Sequence, residues 1–287
     1  MIKKNQIIHN TFFCIFLFCF ILLVFFPFYW MVNTSMKTEN QLMMTPATLV
    51  PLDHISMKFL PSSINYQAVL KNTLFLHSIA NSIIVAGVVT LVSLLLGSFS
   101  AYALGKLYFR GKKIILYLIL TMTMFPRVSV LSGLYSVIRF LHISAIQSMI
   151  LSYFLFTLPF TVWVMTSYYR QLPSSLLEAA YVDGATPFQS FFDILLPLTI
   201  PAAVTTGLLA FIAAWNEYLF ALTFSSVSPK SRTIPVAIAM FSGTVSRQYP
   251  FGEIMAASVV ITLPLLILVI VFQKKLVAGL TSGAIKQ

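Results

Sequence analysis

A chain of 287 residues with 59% hydrophobic and only 9% charged side chains falls far below the roughly 25% charge of an average soluble domain. Its apolar residues run in uninterrupted blocks, which excludes an ordinary soluble domain and places the excess in lipid or in a helix bundle. The formal net charge of +11, from 18 basic against 7 acidic residues, does not mark a nucleic-acid binder, because the lysines gather beside apolar blocks instead of forming a stripe with aromatics.

In chain order, Lys3 and Lys4 precede an apolar block from Thr11 to Val32. The block is longer than a secretory h-region and no small-x-small cleavage site follows, so it reads as a retained first span after a short N-terminus, residues 1–10. Cys14 and Cys19 lie five apart inside it, a spacing that places both on one helix and makes neither a disulfide nor a metal site. Residues 33–75 carry Pro46, Pro51 and Pro61 without sustained periodicity and read as an irregular external loop with short helical pieces.

The core, 76–272, holds five further candidate spans: Leu76–Leu104, Ile114–Ile138, Ala145–Ser167, Ile200–Phe224 and Gly252–Phe272. About 20 residues cross a hydrocarbon core of about 30 Å. With both termini in the cytoplasm, the compact clusters Lys106, Arg110, Lys112 and Lys113, and Lys274, Lys275 and Lys286, fall inside. The scattered Lys37, Lys58, Lys71, Arg139, Lys230, Arg232 and Arg247 fall outside, as the positive-inside rule requires. Residues 273–287 form a cytoplasmic tail.

Pro126, Pro159, Pro197, Pro201 and Pro264 lie in or near spans, where proline frees a carbonyl and bends a helix. Arg127 follows Pro126 inside the third span, and an arginine at the membrane centre costs about 2.5–3.5 kcal/mol on insertion scales. It either lines an aqueous path or snorkels to the outer interface. Trp215, Asn216 and Glu217 sit in span five. Glu217 reads as a gate or structural residue, or as the coupling carboxylate of an ion-driven carrier. Tyr135, Phe154 and Trp215 either border a pathway or pack the bundle.

Between spans four and five, within 168–199, the chain turns polar. Pro173 followed by Ser174 and Ser175, with Glu178 in the first turns, starts a helix. Leu176, Leu177, Ala180 and Tyr181 recur at helical spacing, and Gly184 permits a tight turn or a close backbone contact. A second helix begins after Pro187, with Phe188, Phe191 and Phe192 as an apolar patch, and Pro197 ends it.

Glu178-Ala179-Ala180, Gly184, Ile194 and Leu196-Pro197 fill every position of the EAA-x3-G-x9-I-x-LP loop, and the chain resembles the bacterial ABC importer permeases. Asn81-Ser82, Leu158-Pro159-Phe160, Ala214-Trp215-Asn216-Glu217-Tyr218 and the tail from Gln273 to Lys286 are similar to the maltose-type carbohydrate branch; Lys274 stands where an arginine is usual. The resemblance implies an all-α integral membrane protein with six transmembrane helices of the type I (MetI-like) permease fold, in the bacterial cytoplasmic (inner) membrane. It implies a second homologous permease, two ATP-binding subunits and an extracytoplasmic solute-binding protein as partners in sugar or oligosaccharide import. A glycerol-3-phosphate or polyol importer is the alternative. Docking to the ATPase would fall to Glu178, Ala179, Ala180, Asp183, Gly184, Phe188 and Phe191, and the pathway or gate to Arg127, Trp215, Asn216 and Glu217. No G-x-x-x-x-G-K-[ST] run, metal cluster or nucleophile elbow occurs, so the chain is expected to bind no cofactor and catalyse no reaction, with ATP and Mg held by the partner ATPase.

Overall fold

A computed structural model describes residues 2–53, 55–241 and 250–284, with side chains from 10 to 273 among them. Arg247 and Lys286, and the side chains of Lys3, Lys4, Lys274 and Lys275, lie outside the described residues. The chain divides into two compact units, residues 1–73 with 240–263 and residues 74–239 with 264–287.

In the first unit, α1 (Ile2–Ser35) carries a span at Asn10–Ser35 with a mean hydropathy of 2.8, exposed along most of its length and buried only at Asn33, Thr34 and Ser35; Cys14 and Cys19 are free and exposed on it. The segment after it is tied down by polar side chains rather than by a core. Lys37 is buried, donates to the Thr48 carbonyl and stands 5.3 Å from the Trp30 ring centroid; burial pulls its pKa below the usual lysine value. The Asn65 amide donates to the carbonyls of Ser35 and Lys37 at 2.9 and 2.7 Å, closing the C-terminal end of α1, where helical carbonyls lack partners. The short helices α2 (Glu39–Leu42) and α3 (Ile64–Lys71) and one isolated bridge, Leu52 with Phe59, complete this segment. α2 starts on a capping box between Thr38 and Gln41.

The second unit is built on α4 (Thr73–Lys106) and α7 (Ala145–Gln171). Ser93, Gly97, Ala101 and Gly105 recur every four residues along α4, a small-residue stripe that lets helix backbones meet closely. A β-carbon at Gly97 would stand 2.6 Å from Thr161 Cγ2, and one at Gly105 2.8 Å from Tyr169 Cβ. Ser93 Oγ bonds Thr157 Oγ1 at 2.9 Å. Ser152, Thr157, Thr166 and Thr206 return their hydroxyls to the carbonyl four residues back, which lets polar residues sit inside an apolar bundle. Near the start of α4, Asn81 donates to the carbonyls of Lys230 and Arg232, and Ser82 Oγ accepts from the Ile234 amide. These bonds fasten the 3-10 turn Pro229–Ser231 and the start of α12 (Ile234–Ala239).

Two expected spans are broken. The third, read as Ile114–Ile138, is a pair of helices, α5 (Lys112–Thr123) and α6 (Arg127–Phe140), bent by 95°. Pro126 has no N–H to continue α5 and biases Phe125 away from helical geometry; it serves instead as the extended residue before α6. The fifth, read as Ile200–Phe224, starts earlier and stops at Trp215: α10 is Leu196–Trp215, and α11 (Leu219–Phe224) is a separate helix. The last helix, α13 (Phe251–Ala284), continues well past the expected end at Phe272 and carries Pro264 within it. Counting the bent pair as one span gives up to six crossings.

The stripe on α4 yields a paired test. Gly105→Val and Gly97→Val each force a side chain into α7, and overpacking of this kind costs about 1–3 kcal/mol. Gly87, where a β-carbon meets nothing within 4 Å, tolerates alanine. Thermal unfolding followed by size-exclusion fluorescence should show a lower midpoint for the two valine variants and none for Gly87→Ala.

Candidate functional site

The polar segment between α7 and α10 folds as a helical hairpin. α8 (Ser175–Val182) begins without a side-chain cap, contrary to the expectation for Ser174 and Ser175. The Ser174 carbonyl instead accepts from the amides of Leu177 and Glu178 at 2.9 and 3.1 Å. The end of α8 is specified more strongly. Gly184 has φ +79, the Ala185 amide donates to the Ala180 carbonyl at 2.9 Å, and the Gly184 amide donates to the Tyr181 carbonyl at 3.1 Å. This is a Schellman turn with glycine at its left-handed position. Of the two sequence readings for Gly184, the turn is the one realised: a β-carbon there would meet nothing within 4 Å, so backbone conformation and not space demands the glycine.

Thr186 then opens α9 (Pro187–Gln189) with a capping box to Gln189, a signal present in the sequence but not read from it. From Ser190 to Leu195 the helix widens into a π-helical turn and continues into α10, so Pro197 does not end it. Proline at 197 supplies no N–H to the carbonyl four residues earlier and crowds it; that carbonyl belongs to Asp193, inside the wider turn.

The hairpin has an outer face and a floor. Glu178, Ala179, Asp183, Gly184 and Phe188 are exposed, as are Tyr181 and Val182, which the sequence reading had not assigned to docking. Ala180 and Phe191, both expected to dock, are buried, in the floor rather than on the outer face. Leu177, Phe191 and Leu195 pack with Ala101 and Tyr102 of α4, Met165 and Tyr169 of α7 and Ala202 of α10. The Phe99 ring lies 4.5 Å from Phe191, 5.4 Å from Phe192 and 6.0 Å from Phe188 between centroids. The Tyr102 hydroxyl donates to the Pro187 carbonyl at 3.1 Å, and the Lys106 ammonium donates to the Leu172 carbonyl. The hairpin is thereby fixed to α4, α7 and α10 together.

A second region lies among α5, α6, α7, α10 and α11. It is a cavity of about 750 Å³ lined by Arg127, Phe156, Phe160, Trp163 and Phe220, among others. Arg127 occupies the first position of α6, and its guanidinium carbon stands 4.0 Å from the Phe156 ring centroid, so the break at Pro126 turns it onto the cavity wall. Trp215, Asn216 and Glu217 are not part of that lining. Trp215 is buried and stacked on Phe211 at 5.5 Å, and the Asn216 amide donates to the Ile212 carbonyl at the end of α10. Glu217 is buried, and its carboxylate accepts from the amides of Phe220 and Ala221 at 3.1 Å each, where a helix start favours negative charge. The three residues end one helix and begin the next. Tyr153, which sequence reasoning missed, is fully buried. Its hydroxyl faces Glu217 without closing a hydrogen bond of good geometry. Tyr135 stacks on Phe224 at 6.0 Å.

This arrangement, a rigidly seated hairpin exposed beside a bundle of broken spans, can be set against known proteins. Residues 93–282 match the family model described as the inner membrane component of binding-protein-dependent transport systems. The chain belongs to that family. The permease is 39% identical over 264 residues to the trehalose/maltose transport system permease protein MalG of Thermococcus litoralis, covering 91% of each chain. It is 35% identical over 262 residues to the sulfoquinovosyl glycerol transport system permease protein SmoH of Agrobacterium fabrum, covering 91% of this chain and 88% of that one. In structure it is similar to a chain of a bacterial ABC transporter that imports the acidic polysaccharide alginate, with a TM-score of 0.79 at 22% identity over 94% of this chain and 97% of that one. This last likeness bears on the fold.

Because Gly184 is needed for its backbone, Gly184→Val imposes a left-handed conformation on a β-branched residue, at about 1–2 kcal/mol, while Gly184→Asn costs less. Hydrogen exchange in the permease should show the Ala185 amide opening faster in the valine variant, with asparagine intermediate. Equal protection in all three would remove the turn's dependence on glycine.

Proposed function

We propose that this permease forms, with a second homologous permease, the translocation path of a sugar importer, and that its hairpin transmits the movement of separate ATPase subunits to the spans. The observation that carries the reading is the hairpin's construction. Glu178, Ala179, Asp183, Gly184 and Phe188 stand on the outside, while Phe191 and Leu177 anchor the same element to three spans. An element that couples two moving bodies must be stiff, since a compliant one absorbs the motion.

In this reading Glu178 makes the polar contact to an ATPase subunit, Asp183 adds to it, and Ala179 permits close approach. Phe188 enters the docking cleft, and Ala180 and Phe191 act from beneath. The hairpin end of the bundle, which also carries Lys106, Arg110, Lys112 and Lys113, faces the cytoplasm in keeping with the positive-inside rule, with both termini on that side. ATP and its magnesium belong to the ATPase subunits, and this chain carries out no chemistry of its own. An extracytoplasmic binding protein delivers the solute, in line with the family's dependence on such proteins.

Sugar as the solute is supported by the relatives, whose names specify trehalose and maltose or sulfoquinovosyl glycerol. Arg127 and the aromatic walls of the cavity are suited to a polyhydroxylated solute, since aromatic faces stack on sugar rings and a guanidinium donates to oxygen. Trp215, Asn216 and Glu217 act as the joint of a gate and not as its lining. A Glu217 carboxylate already engaged by two backbone amides is poorly placed as the coupling acid of an ion-driven carrier.

The test begins with the tagged permease purified gently from its own host, where a P-loop ATPase and a second permease should co-purify. Glu178→Ala and Phe188→Ala should each weaken ATPase retention by about tenfold or more and leave membrane insertion intact. Recovery of the chain alone, still active in ATP-independent uptake, would overturn the proposal. In reconstituted vesicles Arg127→Gln should lower the rate or apparent affinity of solute uptake with ATPase retention unchanged; unaltered uptake would remove Arg127 from the path.

A further inference from the structure

The turn between α4 and α5 holds a concentration of positive charge that the transport reading uses only for orientation. Lys106 ends α4, Arg110 lies in the turn, Lys112 and Lys113 begin α5, and Arg170 lies in the last turn of α7. Two of these lysines work locally. Lys106 donates to the Leu172 carbonyl, and Lys112 donates to the carbonyls of Leu107 and Gly105 at 3.0 and 3.4 Å, completing helix ends that would otherwise lack donors. Burial, and after it the neighbouring charge of Lys112 on Lys106 and of Arg170 on Lys112, pulls both lysines below the usual lysine pKa. Arg110, Lys113 and Arg170 are exposed, and among the described residues no carboxylate pairs with any of the five. The first turn of α5 contains no acidic residue.

The surface next to this charge is apolar. Lys113, Ile114, Tyr117 and Leu118 fall on one face of α5 by helical spacing, and Ile114, Tyr117 and Leu118 are each more than 60% exposed. Between Lys106 and Arg110, Tyr108 is fully exposed and Phe109 is also exposed, as are aromatic residues that settle at a membrane–water boundary. Cations at the end of an exposed apolar stripe, rimmed by aromatics, match one molecule in both parts. A phosphate group meets the cations and acyl chains lie along the stripe.

We propose that Arg110 and Lys113, backed by Lys106, Lys112 and Arg170, form a binding site for the headgroup of an anionic phospholipid in the leaflet that faces the hairpin. The assignment rests on the reading that the hairpin end is cytoplasmic, since that leaflet carries anionic lipid and basic clusters beside a span recruit it. An acidic protein surface is the lesser fit. The exposed hairpin nearby presents Glu178, Asp183 and Asp193, charge of the same sign as such a partner, which would repel it, whereas the cations sit against the apolar stripe. Bound lipid would neutralise this concentration of positive charge and hold α5 in place beside α4.

The experiment uses whatever assembly the tagged permease brings out of its host. It is placed in nanodiscs of phosphatidylcholine with and without phosphatidylglycerol, and retained lipid is read by native mass spectrometry. Phosphatidylglycerol should be retained over phosphatidylcholine. Arg110→Gln with Lys113→Gln should lower that retention on the order of tenfold, while the same charge loss at Lys58→Gln with Lys71→Gln leaves it unchanged. Inorganic phosphate should not displace the lipid. Equal retention of both lipids, no effect of the paired substitution, displacement by inorganic phosphate, or a photocrosslinker at position 110 capturing an ATPase subunit instead of lipid would each overturn the site. Sugar-stimulated ATP hydrolysis in the same nanodiscs reports on the importer reading separately. If hydrolysis persists without lipid preference, only the lipid site falls; if the ATPase is missing, the importer reading falls and the lipid result on the remaining chain still stands.

Discussion

The contact between Gly105 and Tyr169 organises the second unit. A β-carbon at 105 would come within 2.8 Å of Tyr169 Cβ, so the approach of α4 and α7 exists only because glycine stands there. In a bilayer, helices gain nothing from leaving water, and association depends on close packing and interhelical hydrogen bonds. The small-residue stripe supplies the first, and the Ser93–Thr157 bond the second. Once α4 and α7 are this close, Tyr102 and Tyr169 stand 6.3 Å apart. Phe191 fills the space beside both, at 5.3 and 6.3 Å. The hairpin inherits its position from that packing, which is why an exposed polar element can be stiff without a domain of its own.

Breaks in the spans follow a second constraint. Each interrupted helix leaves backbone groups that lipid cannot satisfy, and this chain answers with side chains next to the break. Asn216 takes a carbonyl at the end of α10, and Glu217 takes two amides at the start of α11. Asn81 and Ser82 do the same for the turn before α12. Polar residues that look like pathway or coupling candidates in a hydropathy profile are in these places repairs to the backbone. Arg127 differs, because its side chain has an aromatic ring for a neighbour and a cavity in front of it.

Much of this was legible from the residues. The hairpin announced itself through Glu178, Gly184 and Pro187, since a change from apolar to polar composition, a left-handed glycine and a helix-starting proline are local signals. The bend at Pro126 was signalled by the proline itself, though not its size of 95°; the stop at Trp215 was not signalled, because both sides of that break are equally apolar and hydropathy averages across them. The split between the outer and inner faces of the hairpin also escaped. Ala180 and Phe191 belong to the same motif as Glu178 and Phe188, and only the placement of Tyr102 and Tyr169 decides which of them is covered. Those tyrosines, like Tyr153, are indistinguishable by sequence from the other aromatics of an aromatic-rich membrane protein.

The π-helical turn from Ser190 to Leu195 has a geometric consequence for how the chain can vary. A turn closed by i→i+5 bonds takes about one residue more than an α-helical turn, and one residue is worth about 100° of rotation about the axis. The azimuth of the hairpin helices around α10 is therefore set by a count of residues. Loss of a single residue in this stretch would leave an unbroken, still apolar helix, yet it would point Phe188 and the Glu178 face about a quarter-turn away from where they now stand. Phe191 and Leu195 fix how this segment packs, and its length fixes the direction the hairpin faces.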